Sequence, residues 1–248
     1  MEILGIDVGG SGIKGSVVDL DTGIILQERI RIETPENSTP ENIAMAIIGI
    51  KDQFSWTGKI GCGFPAIVKN GVIHSASNIS KKNIGVNVTA LFSEITKCEV
   101  TVLNDADAAA MCEVYLGEAK NTQGIVILLT IGTGIGSALF NNGILLPNTE
   151  FGHIYMNKGK VAEHYASDLV RKKEDLSWDK WAIRFSEYLN YLDFLFSPGL
   201  FIIGGGVSKK FEKFAPFLTI NVPIKPASFL NDAGIIGAAI AAGLNNKV

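Results

Sequence analysis

Asp105 follows a short apolar stretch, Glu99 to Leu103, and opens the run Asn104-Asp105-Ala106-Asp107-Ala108-Ala109-Ala110. A carboxylate so placed, where a strand enters a helix, suits a base that takes the proton of an attacking hydroxyl during phosphoryl transfer. The dipole of that helix would keep it ionised. The same position also suits an N-cap, so the sequence leaves both uses open. Gly9, Gly10, Ser11 and Gly12, with Lys14 close behind, form one glycine turn, and Thr130, Gly132, Thr133 and Gly134 form a second. Backbone N–H groups clustered in a tight turn can hold phosphate oxygens without a helix end. One such turn merely closes a hairpin, but two of them point to a phosphoryl donor held by both. Asp7, at the strand end before the first turn, is placed to hold a hydrated Mg2+ ion bridging phosphates. Glu150, Gly152 and His153 follow a Pro147-Asn148 turn, and Glu163 lies on a later helical stretch. Paired acceptors and donors of this kind suit neighbouring sugar hydroxyls.

The elements that must position these residues are legible in the pattern of apolar positions. Glu2 to Val8 and Ile13 to Asp19 read as strands around the first glycine turn, and Ile24 to Ile32 as a third strand. Thr39 as N-cap and Pro40 at the first helical position start a helix carrying Ile43, Ile47, Ile50 and Phe54 at helical spacing. Lys59 to Phe64 and Glu99 to Leu103 are short strands. Ile125 to Ile131 and Ser137 to Phe140 flank the second glycine turn and repeat the hairpin of the first part. A long helix places Trp178, Trp181, Ala182, Phe185, Tyr188, Leu189, Leu192, Leu195 and Phe196 on one face, and Pro198-Gly199 ends it. Leu200 to Ile203 is a strand running into Gly204, Gly205 and Gly206. A helix over Lys209 to Leu218, a strand over Val222 to Lys225 and a small-residue helix over Ala233 to Leu244 complete the reading, the last expected to pack back on the first lobe. The fold class is α/β: a two-lobed RNase-H-like, actin-like architecture with an interlobe cleft. Residues 1–117 with 233–248 form the first lobe and 118–232 the second.

Two competing phosphate motifs fail. Gly10-Ser11-Gly12-Ile13-Lys14-Gly15 matches the dinucleotide pattern, but strand residues follow where that motif needs a helix. No Gly-x-x-x-x-Gly-Lys-Ser/Thr sequence occurs. The 248 residues, 47% hydrophobic and 19% charged, suit a globular chain able to bury a core. A net charge of -3 gives no broad basic field, so nucleic acid is not an expected partner. Three widely spaced cysteines, Cys62, Cys98 and Cys112, suit neither a disulfide framework nor a zinc or redox pair. The opening residues lack the basic and apolar regions of a secretory signal, and the longest uncharged stretch, Asn121 to Thr149, is broken by glycines. No membrane association and a cytoplasmic location are therefore expected. The aromatic helix serves core packing first, a homodimer interface being its other use.

Taken together, Asp7 to Gly15, Asn104 to Ala109, Leu129 to Ala138, Pro147 to His153, Gly204 to Lys210 and Asn231 to Gly234 resemble the ROK sugar kinases, in order and over nearly the whole chain. Within that group they are most similar to the polyphosphate branch of glucokinases. The resemblance implies Asp105 as catalytic base and sugar contacts at Asn78, Asn104, Glu150, His153 and Glu163. It also implies phosphate contacts from both glycine turns and a nucleotide flanked by Gly204, Gly205 and Gly206. The activity it implies is transfer of a phosphoryl group from polyphosphate, or also ATP, to the 6-hydroxyl of glucose, with Mg2+ as cofactor. An ATP-dependent hexose or N-acetylhexosamine kinase is the nearest alternative. A non-catalytic sugar sensor is another, although a first strand starting at residue 2 is expected to leave no room for a helix-turn-helix module. Two departures stand out. Asn157 to Val161 has no cysteine where many ROK kinases bind structural zinc, and Asn78 to Ile84 lacks an aspartate and a tryptophan expected in the sugar-side loop.

Overall fold

The computed structural model describes residues 1–156 and 159–244, so Asn157 and Lys158, at the start of the cysteine-free segment, lie outside the described residues. The chain divides into two compact units, Met1–Cys112 with the segment from Asp232 onward, and Glu113–Asn231.

In the first unit the near-continuous apolar runs β1 (Glu2–Val8) and β2 (Gly12–Asp19) pair antiparallel, closing at Val8 opposite Ile13. The third strand expected over 24–32 is two short ones, β3 (Ile24–Ile25) and β4 (Ile30–Glu33), each paired with a different end of β2. The reason lies in Ser16: its buried hydroxyl donates to the Gln27 carbonyl at 2.7 Å, so a side chain takes up backbone that has left the ladder between them. α1 (Pro40–Gln53) starts where expected, Thr39 Oγ1 accepting from the Asn42 N–H, and buries Ile43, Ile47 and Ile50. β5 (Ile60–Phe64), the small hairpin β6 (Val68–Lys69) and β7 (Val72–Ile73), α2 (Val88–Thr96), β8 (Val100–Asn104) and α3 (Asp105–Tyr115) follow. β1, β5 and β8 run parallel. Leu4, Ile6, Val8, Ile13, Phe64 and Phe92 fill the core between this sheet and α1 and α2.

The second unit opens with another hairpin, β9 (Ile125–Ile131) and β10 (Ile135–Asn141), extended by β11 (Ile144–Leu146). Two short helices, α4 (Glu163–Ala166) and α5 (Asp168–Lys173), lead to α6 (Trp178–Phe196). Trp181, Phe185, Tyr188 and Leu192 of α6 are fully buried, with the Trp181 and Phe185 rings stacked 4.8 Å apart. Leu195, expected on that face, is exposed, because it lies at the edge of the stripe in the final turn. β12 (Leu200–Gly204) runs parallel to β9. The helix expected over 209–218 is broken into a 3-10 turn, α7 (Phe211–Phe214) and a second 3-10 turn. Pro216 accounts for the break after Phe214: it has no N–H, and its ring would strike the Glu212 carbonyl if an α-helix continued. The last strand, β13 (Ile224–Pro226), lies two residues later than expected at its start, after Pro223, and pairs with β12 at the sheet edge.

The chain then returns to the first unit as α8 (Ala233–Gly243), which packs on β1 and β5. Glycines make this possible. A Cβ at Gly5 or Gly61 would run into the α8 carbonyls of Ile235 and Ala238, and one at Gly237 into the Ala108 carbonyl of α3. Cys62, Cys98 and Cys112 are buried thiols. Burial pushes the Cys62 thiol far up, which makes it inert. Among the described residues no helix is long and apolar enough to cross a membrane.

Candidate functional site

In the first unit the candidate residues gather at the C-terminal ends of parallel strands. Asp7 of β1 sits opposite Gly63 of β5, Gly63 opposite Leu103 of β8, and Asp105 follows Leu103 by two residues. This edge is where ligands of open parallel sheets bind. Asp105 is half-buried, and it does not cap α3. That task falls to Asn104, whose Oδ1 accepts from the N–H groups of Ala106 (2.8 Å) and Asp107 (3.1 Å). The Asn104 amide donates to the Ala66 carbonyl at 3.2 Å. Asp105 Oδ1 accepts from the Ala106 N–H at 2.8 Å, in the first turn where the helix dipole favours negative charge.

The first glycine turn closes on a Gly9 N–H donated to the Gly12 carbonyl at 3.0 Å, leaving Gly10 and Ser11 exposed at the tip. Asn78 adjoins this tip: a Cβ on Gly10 would lie 3.3 Å from the Asn78 Cβ. Asp7 Oδ2 is 3.6 Å from Lys14 Nζ. Burial pushes the Asp7 carboxyl above its ordinary range, and the Lys14 ammonium opposes that shift. A residue that the sequence reading passed over stands here too. Arg31, opposite Lys14 on β4, donates from Nη2 to the Ser11 carbonyl at 2.8 Å, its guanidinium lying over Gly12, where a Cβ would come within 2.6 Å of Nε. Its signal was the alternation Ile30-Arg31-Ile32-Glu33, which sends Arg31 and Glu33 to one face of β4 once that strand is recognised as separate.

In the second unit the hairpin of β9 and β10 closes tightly, Gly132 N–H donating to the Gly134 carbonyl at 3.0 Å, and the Leu169 N–H of α5 donates to the Gly132 carbonyl at 3.1 Å. Glu163 is brought against this turn, its Oε2 lying 2.5 Å from where a Gly134 Cβ would be. His153 stands between two glutamates, Nδ1 at 3.1 Å from Glu150 Oε2 and Nε2 at 3.7 Å from Glu163 Oε1. His164 Nε2 lies 3.6 Å from the same Glu163 oxygen. This row of acceptors and ring nitrogens, with His153 mostly exposed, can hold adjacent hydroxyls. Thr130 lies beside Gly204 on the neighbouring strand. Gly205 adopts φ of 74°, and its Cβ would fall 2.6 Å from the Ile131 carbonyl oxygen, so this loop position requires glycine. Lys209, Lys210 and Lys213 beyond it are exposed.

No group of three or more His, Cys, Asp or Glu residues able to hold a metal occurs among the described residues. Mg2+ is commonly held by one or two carboxylates, its waters and substrate phosphates, and Asp7 beside the first glycine turn is a carboxylate of the kind that could serve it.

Comparison with known proteins gives the same direction. The model of the ROK family matches residues 3–172. A polyphosphate glucokinase of Mycobacterium tuberculosis is 46% identical over 238 residues, covering 96% of this chain and 89% of that protein. The crystal structure of an inorganic polyphosphate/ATP-glucomannokinase from Arthrobacter sp. strain KM superposes with a TM-score of 0.91 at 41% identity, covering 99% of both chains. A ROK family glucokinase from Streptomyces griseus, solved with glucose and AMPPNP, shares the fold with a TM-score of 0.82 at 23% identity, covering 98% of this chain and 100% of that one.

Proposed function

The chain belongs to the ROK family, and on that premise we propose that it is a glucokinase moving a phosphoryl group from inorganic polyphosphate, and from ATP as a second donor, to the 6-hydroxyl of glucose. The observation that carries this reading within the structure is the division of labour at the head of α3. Asn104 supplies the cap, so Asp105 is not required for it. Asp105 takes the proton of the sugar hydroxyl as its oxygen attacks the terminal phosphorus. The bond from that phosphorus to the bridging oxygen breaks, and the donor leaves one phosphate shorter. The glycine turns, Gly9 to Gly12 and Thr130 to Gly134, hold phosphate oxygens through backbone N–H groups, with Lys14 beside the first. Asn78, Asn104, Glu150, His153 and Glu163 hold the sugar hydroxyls, and Gly204 to Gly206 flank a nucleotide when ATP is the donor. Mg2+, held through Asp7 and the phosphates, would neutralise phosphate charge.

A polyanion needs cations beyond the transferred phosphate, and Lys14 with Arg31, and Lys209, Lys210 and Lys213, are the ones we assign. Binding through several such groups displaces counterions. Apparent affinity for long polyphosphate is therefore expected to fall more steeply with salt than affinity for ATP, and to rise with chain length until the cations are engaged. Glucose phosphorylation measured with ATP and with polyphosphates of graded length, at two salt concentrations, checks this. A preference for ATP at every length would overturn the donor assignment and leave the sugar kinase standing. Metal analysis of purified protein is expected to find no stoichiometric zinc, since the chain lacks the cysteines of a tetrahedral site. One zinc per chain surviving a chelator wash would contradict it.

A further inference from the structure

Glu113 has no part in the roles assigned above, yet it is fully buried and both its oxygens are engaged. Oε1 accepts from the backbone N–H groups of Ser228 at 2.7 Å and Phe229 at 3.0 Å. Oε2 accepts from the Ser228 hydroxyl at 3.0 Å and the Glu118 N–H at 3.1 Å. A carboxylate taken out of water is costly unless such bonds replace its hydration, so this arrangement is built rather than incidental. Gly117 is shaped around it, since a Cβ there would run into Glu113 Oε2 and lie 2.9 Å from the Glu113 Cα.

Its place in the chain gives the arrangement a meaning. The chain passes between its two units twice, at Cys112–Glu113 and at Asn231–Asp232. Glu113 is the first residue after one passage, and Ser228 and Phe229 lie just before the other. One side chain thus ties together the two segments by which the units are joined. It does so from α3, a single helix that spans the first passage and begins with Asp105. Eight residues of α-helix separate Asp105 from Glu113, a span of about 12 Å along a stiff rod.

We propose that Glu113 is a positioning residue for phosphoryl transfer, fastening the 228–229 segment to α3 and so fixing the helix that presents Asp105. The proposal rests on the glucokinase reading above. In Glu113→Gln the amide N–H2 meets at least one backbone N–H whichever way it turns, that of Glu118 or those of Ser228 and Phe229, where a carboxylate oxygen accepted, so the tie is weakened at nearly constant shape. A reacting group misplaced by about an ångström can cost two orders of magnitude in rate.

Steady-state kinetics of the full-length protein, at a temperature well below the measured Tm of each variant, test it. Glu113→Gln is expected to lower kcat about ten-fold or more, with KM for glucose changed by less than about two-fold. Ser228→Ala, which removes only the hydroxyl donor, is expected to give a smaller fall in kcat of the same kind. A folded Glu113→Gln with wild-type kcat, or with its loss confined to KM, would overturn the proposal. If that variant does not fold, Ser228→Ala decides, and wild-type kcat there overturns it equally. A wild-type protein that phosphorylates no sugar with either donor would remove the glucokinase reading and this inference together. Wild-type turnover with an undiminished variant removes the inference alone.

Discussion

Asp105→Asn is expected to lower kcat by roughly 10² to 10⁴ while leaving the fold and the affinity for glucose close to wild type. The fold should survive because the α3 N–H groups of Ala106 and Asp107 are bound by Asn104, not by the residue exchanged. Asparagine keeps the shape and one oxygen, so the Ala106 N–H that Asp105 Oδ1 accepts at 2.8 Å still has an acceptor. What is lost is a group able to take a proton, and the loss should appear in turnover with either donor, since the same hydroxyl is deprotonated in both reactions. Glucose binding followed by calorimetry, alongside kcat, separates the two effects. Wild-type turnover in the variant would remove Asp105 as base. A raised KM with unchanged kcat would make it a sugar contact instead.

That separation was not legible from the sequence, where Asn104 and Asp105 are both good capping residues and only the hydrogen-bond geometry assigns the cap to the first. Elements whose local chemistry agrees with their packing were legible: the glycine turn at residues 9–12, Thr39-Pro40 at the head of α1, and the tryptophan and phenylalanine stripe of α6. Elements were misread where a single residue overrules the apolar pattern. Pro216 breaks a stretch whose phenylalanines are spaced for a helix, and Ser16, from a neighbouring strand, takes hold of the Gln27 carbonyl where the pattern reads as one strand. β11 was missed because three residues, Ile144–Leu146, are too few to show a period.

The candidate site divides the same way. Residues that carry chemistry in their own type, such as Asp105, Glu150, His153 and Glu163, stand out in a sequence. Arg31 and Glu113 do not, because their significance is relational. Arg31 matters through its register opposite Lys14, and Glu113 through two residues more than a hundred positions away in the chain. Nothing in the local sequence of either records those partners.

Gly237→Ala should be among the most damaging single-methyl changes in the protein, with an expected loss of stability of about 3 kcal/mol or more. The usual argument runs the other way, since alanine gains about 1 kcal/mol over glycine inside a helix. Here the added Cβ would overlap the Ala108 carbonyl oxygen and lie 2.7 Å from the Ala108 carbonyl carbon and 3.1 Å from the Cys112 nitrogen. These are backbone atoms of α3, so no rotamer change can relieve the contact, and one helix must shift against the other. α8 is also held on its other side, where the Ile235 and Ala238 carbonyls lie against Gly5 of β1 and Gly61 of β5, which leaves it little room to retreat. Ala108 is one turn from Asp105, so whatever protein folds should also lose kcat as α3 moves. Denaturant unfolding of wild type and variant, compared at equal m-value, measures the stability change. A midpoint matching wild type would mean that α8 and α3 do not approach at Gly237 as closely as described, and that α3 is not braced there.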